Sequence, residues 1–130
     1  MALTVTALYA ALSALLLLAY AGLVIPQRYR ARVGIGDGKD AKLARAIRIH
    51  GNAAEYIPIC LILIGLLEAG GAPTLALHGL GIALIAGRVA HAVGLWKTDG
   101  QSIGRGLGMV LTWLVMIVGA VWNLAYWMMA

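Results

Sequence analysis

Charge is what this chain of 130 residues has least of. Only 12% of its residues are Asp, Glu, Lys or Arg, 62% are hydrophobic, and the mean hydropathy is +0.91. A soluble domain keeps more polar surface than that, so a soluble fold is excluded. Cys60 is the one cysteine, which excludes an intrachain disulfide. A small buried apolar role in mid-helix suits it. The alternation of apolar and polar residues that a membrane β-barrel requires is missing. No separate basic module exists, which argues against a nucleic-acid partner.

In place of these stand four continuous apolar runs: Leu3 to Ile25, Ile47 to Leu67, Leu75 to Trp96, and Leu107 to Met129. Each is about 20 residues long, enough to cross a ~30 Å hydrocarbon core as a helix. Little chain remains for anything else. The expectation is an all-α integral membrane protein, a four-transmembrane-helix bundle forming a single domain over residues 1–130. "AYA" at Ala19 to Ala21 resembles a signal-peptide cleavage site. Against that reading, no basic residue precedes the first apolar run, and the run is too long.

The second connection, "EAGGAPT", also lacks something: it has no basic residue. The first connection carries Arg28, Arg30, Arg32, Lys39, Lys42 and Arg45, and the third carries Lys97 and Arg105. Basic loops stay cytoplasmic. Both termini are therefore expected outside and both basic connections inside, where they can also meet acidic lipid headgroups. Trp96 at one edge and Trp122, Tyr126 and Trp127 at the other fit interfacial belts. Trp113 lies deeper, where helix packing explains it.

The punctuation between runs is readable. Pro26 is expected to close the first helix, and Pro58 sits inside the second, freeing the Ala54 carbonyl. "GIGDGKD" at Gly34 to Asp40 lacks a preceding strand and a following Gly-Lys-Ser/Thr, so it reads as a tight turn with Asp40 as N-cap, not as a phosphate loop. "KTDGQS" turns the chain back, with Ser102 a cap for the last helix. Gly100, Gly104 and Gly108 repeat at intervals of four, a spacing that lets helices approach closely.

Scarce charge makes the stretch "RAIRIHGNAAEYIP", residues 45 to 58, conspicuous. Arg45, Arg48, Asn52 and Glu55 follow intervals of three, four and three, which places them on one stripe of a helix. His50 points elsewhere. Arg88 and His91 share a stripe of the third helix, and Arg105 opens the fourth. At ~1.5 Å per residue, Glu55 and Arg88 both lie roughly 12 Å inside the basic edge. Opposite charges at one depth are expected to pair, since an unpaired one there is heavily penalised. One reading is a structural ion pair that fixes helix register. The other starts from the surplus of arginines. Guanidinium groups pair bidentately with carboxylates, and Glu55 suits an ammonium, so the inferred ligand is a small zwitterion of net negative charge. His50 and His91 have no Cys or clustered carboxylates beside them, so no metal site is expected. A proton-coupled transporter using Glu55 is disfavoured, because neighbouring arginines keep that carboxylate ionised.

The pattern Arg48-Ile-His50-Gly-Asn52-Ala-Ala-Glu55-Tyr56-Ile-Pro58 and the segment "GRVAH", Gly87 to His91, resemble the MAPEG family, the membrane-associated proteins in eicosanoid and glutathione metabolism. The resemblance is to a bacterial-type member similar to microsomal glutathione transferase, and it extends over essentially the whole chain. It implies a homotrimer in the bacterial inner membrane, with glutathione as cofactor bound between subunits near the cytoplasmic face. It implies that Arg48, Asn52 and Glu55 hold the tripeptide from one side and Arg88 from the adjoining subunit. His50 and His91 read either as polar helix contacts or as hydrogen-bond partners of the ligand, and the resemblance implies that Arg28 or Arg30 meets a glutathione carboxylate. Arg105 would stabilise the thiolate. The implied activity is a glutathione transferase, with possible glutathione peroxidase activity, for detoxification of lipophilic electrophiles or lipid hydroperoxides drawn from the bilayer. Two departures point away from a dedicated eicosanoid synthase. Many eicosanoid-forming members have a tyrosine where Leu95 stands, and the prostaglandin synthase has a serine where Gly106 stands. The alternative is a non-catalytic scaffold of the same fold that binds lipid or glutathione.

Overall fold

The computed structural model describes residues 2–98 and 100–129. Four helices follow in order: α1 Thr4–Ala31, α2 Ala41–Ala69, α3 Thr74–Lys97 and α4 Ile103–Met129. Among the described residues there is no strand. All four helices are long and apolar enough to cross a membrane. Each exceeds its apolar run because polar residues continue the helix beyond the greasy part. Asp99, inside the expected "KTDGQS" turn, lies outside the described residues.

The first connection is tightly specified. Pro26 does not close α1, as expected from sequence, but lies inside it. Proline removes one donor and frees one carbonyl, and α1 recovers for a further turn. It ends at Arg32, which takes a left-handed conformation (φ 56°) while the Val33 N–H donates to the Arg28 carbonyl at 3.1 Å. The Arg28 guanidinium then reaches across the turn and donates to the carbonyls of Val33, Gly34 and Gly36 at 3.4, 3.2 and 3.0 Å. Arg30 pairs with Asp40 at 2.6 Å. The Asp40 carboxylate also accepts from the Leu43 N–H at 2.8 Å, the N-cap read from sequence. Ser102 caps α4 likewise, accepting from the Arg105 N–H at 3.2 Å.

At the other end of the bundle, α1 has no cap of its own at Leu3. Glu68, near the end of α2, supplies one. Its carboxylate accepts from the backbone N–H groups of Val5 and Thr6 at 2.9 and 2.7 Å. A negative charge at the orphaned donors of a helix start satisfies them and opposes the helix dipole.

Inside the bundle α2 and α3 supply most of the core, with Ile49, Ile57, Cys60, Ile64, Leu77 and Leu84 buried. The closest seam joins α3 and α4. A methyl placed on Gly94 would collide with the Arg105 backbone, and one on Gly108 with the Gly87 carbonyl. The repeat seen in sequence thus does part of what its spacing suggests: Gly104 and Gly108 lie in the seam, whereas Gly100 meets only the Thr98 hydroxyl. Their partners, Gly87 and Gly94, are two turns apart on α3.

Candidate functional site

The polar residues of α2 divide between two environments. Asn52 is buried at 8% exposure, whereas Arg48 and Glu55 keep more than half of their side chains exposed, at 59% and 57%. Positions three or four apart on a helix are offset by tens of degrees, and that offset decides which side of the bundle edge a residue falls on. Arg45 and His50 are half-buried.

Arg88 is the largest fully buried side chain, at 1% exposure. Its guanidinium donates to the Asn52 side-chain oxygen at 2.6 Å and to the Gly108 carbonyl at 3.0 Å. It also lies 5.5 Å from the centre of the Tyr56 ring and 3.7 Å from the Met109 sulfur. Among the described residues its Nε has no hydrogen-bond partner. The expected pairing of Arg88 with Glu55 is therefore corrected: Glu55 pairs with Arg48 on its own helix at 3.5 Å. The physical reason is desolvation. Burying Glu55 beside Arg88 would strip water from two ions, whereas a neutral amide and a backbone carbonyl satisfy the guanidinium with one.

Around this centre the helices converge. Tyr20 of α1 is buried and donates to the Arg88 carbonyl at 3.0 Å. Thr112 of α4 donates to the Gly108 carbonyl at 2.9 Å, so that oxygen serves both Arg88 and Thr112. Trp113 is half exposed, and its indole N–H reaches the Tyr56 hydroxyl at 3.5 Å, joining α4 to α2. His91, one turn along α3 from Arg88, is buried at 5% exposure within the fields of Arg88, Arg105 and Arg48. Arg105 is exposed at the start of α4 and lines a shallow depression with Gln101, Ser102, Gly106 and Met109. Since Met109 also touches Arg88, that depression abuts the buried centre. Leu95 is buried, and Gly106 faces open space.

The structure thus brings Arg88, Asn52 and His91 together inside the bundle and leaves Arg48, Glu55 and Arg105 exposed on its surface. Arg28 and Arg30 lie in the last turn of α1, from which one clasps the turn that follows and the other holds Asp40. Among the described residues, no three of His, Cys, Asp and Glu gather in a way that could hold a metal ion. The sequence marks Trp113 as a packing residue and shows Tyr56 only as part of the family pattern. The signal for their link is that Trp113 falls one turn beyond Met109 on α4 and Tyr56 one turn beyond Asn52 on α2, on the faces that also hold Arg88.

The family model for the MAPEG family matches residues 6–125. This chain belongs to the MAPEG family. It is also 42% identical over 128 residues to the inner membrane protein YecN of Escherichia coli strain K12, covering 94% of this chain and 92% of that protein. The same figures hold for the inner membrane protein YecN of Escherichia coli O6:H1. No solved structure matches the chain at comparable stringency. Membership of MAPEG, together with four helices able to span a bilayer, makes this a multi-pass membrane protein.

Proposed function

We propose that this protein is a membrane-bound glutathione transferase, with capacity to reduce lipid hydroperoxides, that works as a homotrimer in a bacterial inner membrane. The name of the YecN relatives supports the location, and the basic first and third connections support a cytoplasmic site with both termini outside. The observation that carries the reading is the Arg48–Glu55 pair, exposed on a helix that spans the membrane. Hydrocarbon is a costly neighbour for such a pair. A water-filled crevice between subunits would remove that cost and would bring the Arg105 depression of one copy towards the α2 face of another.

The exposed groups suit glutathione, which carries two carboxylates, one ammonium and one thiol. Arg48 would pair with a carboxylate and Glu55 with the ammonium. Arg28 or Arg30 is close enough to the same end of the bundle to meet the second carboxylate, once released from its present bonds. Asn52, held by Arg88, would offer its amide N–H₂, and His50 and His91 would border the pocket. Arg105 would favour the ionised thiol, whose ordinary pKa is ~8.5. Each unit of lowering is worth about 1.4 kcal/mol of preference for the anion. Bound glutathione supplies the nucleophilic sulfur for attack on a lipophilic electrophile, and Leu95 and Gly106 leave no hydroxyl to steer an eicosanoid intermediate.

The test is turnover of glutathione with an aryl halide and, separately, with a lipid hydroperoxide, by purified protein and by Arg105→Ala. The expected result is measurable turnover that falls about 10²-fold in the variant, the usual cost of removing one charge-stabilising donor. Glutathione binding with no turnover of either substrate would support the scaffold reading instead.

A further inference from the structure

A second feature lies away from the Arg48–Glu55 face. Between α1 and α3, at the basic end of the bundle, runs an open groove of about 290 Å³. Leu16, Tyr20 and Leu23 form one wall, Val89 and Val93 the other, and Ile49 of α2 the floor. Tyr20 contributes only its ring to this wall, because its hydroxyl is turned inward onto the Arg88 carbonyl at 3.0 Å. The groove is therefore greasy throughout its length. Its mouth is different in chemistry. Trp96 and Lys97, the last two residues of α3, border it there.

Depth and charge identify the occupant. From Val89 to Lys97 is eight residues of helix, about 12 Å at ~1.5 Å per residue. One leaflet of a bilayer is about 15 Å thick, half of the ~30 Å core. The groove therefore ends within one leaflet, as an acyl chain does. Trp96 has the amphipathic ring that settles at the headgroup level. Lys97 is exposed, and among the described residues no carboxylate pairs with it. Lys42, seven residues before Ile49 on α2, is exposed and adds positive charge at the same end of the bundle. An apolar slot one leaflet deep, under a cationic rim with a tryptophan at its lip, fits an anionic phospholipid. We propose that this groove is a resident site for one, with an acyl chain between α1 and α3 and its phosphate at Lys97. The site is independent of the glutathione reading, since it uses none of Arg48, Glu55 and Arg105.

Native mass spectrometry of the detergent-solubilised full chain, titrated with phosphatidylglycerol or phosphatidylcholine of matched chains, tests the assignment. Wild-type protein is expected to retain phosphatidylglycerol preferentially, and raised salt should narrow the preference. A lysine near a headgroup is worth about 1 kcal/mol, so Lys97→Gln should cut the preference about fivefold and leave phosphatidylcholine binding unchanged. Val93→Trp, at a half-exposed position on the groove wall, should expel both lipids. Circular dichroism and glutathione binding, both expected to stay at wild-type values in the two variants, separate loss of the lipid from loss of the fold or of the other site. Equal retention of the two lipids by wild-type protein, or full phosphatidylglycerol retention by Val93→Trp, would overturn the proposal. So would a disulfide cross-link from Val93→Cys to a second copy that forms in membranes whatever the lipid, since the groove would then be a subunit contact.

Discussion

Arg88 and Asn52 stand 36 positions apart in the chain and meet at 2.6 Å in the middle of the bundle, a cation held by a neutral amide. The pairing ties α3 to α2, and the Gly108 carbonyl extends the tie to α4. Asn52→Leu leaves a buried guanidinium short of an acceptor. A hydrogen bond to a charged group is worth about 1.5–3 kcal/mol, so the variant should lose that much stability in detergent thermal unfolding. Adding Arg88→Met to it should recover part of the loss, since removing both partners spares the uncompensated charge. Equal or greater destabilisation in the double variant would mean that Arg88 is stabilised by other contacts.

The glycine seam makes a steric prediction. Gly108 backs directly onto the Gly87 carbonyl and the His91 backbone, neither of which can swing aside as a flexible side chain would. Gly108→Ala should therefore cost about 1–3 kcal/mol through forced separation of α3 and α4. Gly22→Ala, in open surroundings on α1, should cost nothing or add a little helix stability. Unfolding midpoints of the two variants side by side are the check.

Glu68 is a cap borrowed from another helix. Glu68→Ala should destabilise the α1–α2 pair by about 1–2 kcal/mol, the range for a lost N-cap. Hydrogen exchange should locate the effect at Val5 and Thr6, whose N–H groups lose their acceptor. Unchanged protection at those two amides would contradict the assignment.

Acid should loosen the first connection. The Arg30 hydrogen bond, and after it the Leu43 N–H, hold the Asp40 carboxyl below its usual range. A carboxyl lowered in the folded state contributes its stabilisation fully above the unfolded value of ~3.9 and loses it as pH falls through the lowered folded value. Amide exchange in residues 33–43 is expected to rise as pH drops below ~4. In Asp40→Asn, which can still cap α2 but cannot ion-pair, that pH-dependent rise should vanish.

How much of this was legible beforehand depends on the range of the interaction. The four spans, Asp40 and Ser102 as caps, and the buried Cys60 follow from hydropathy and local chemistry, and each stands where the sequence puts it. Features that need two helices side by side were harder. Glu68 read as part of a turn, because nothing near it in sequence shows the bare start of α1. Depth alone points Arg88 to Glu55, whereas the structure pairs it with Asn52. Depth is readable from the 1.5 Å rise, but which of two neighbouring residues faces inward is fixed by packing against α3 and α4. Pro26 removes only a single hydrogen bond, too little to stop α1. Gly87 and Gly94 are seven residues apart, so the interval of four that marks close helix approach does not reveal them as the facing half of the seam.

Calorimetric titration of glutathione into the detergent-solubilised protein, repeated with Arg48→Ala and Glu55→Gln, tests the central claim most directly. The account predicts saturable binding in the native protein, weakened about tenfold or more in each variant, with unfolding midpoints little changed because both side chains are exposed. Absence of binding by the native protein, or equal affinity in all three, would contradict it.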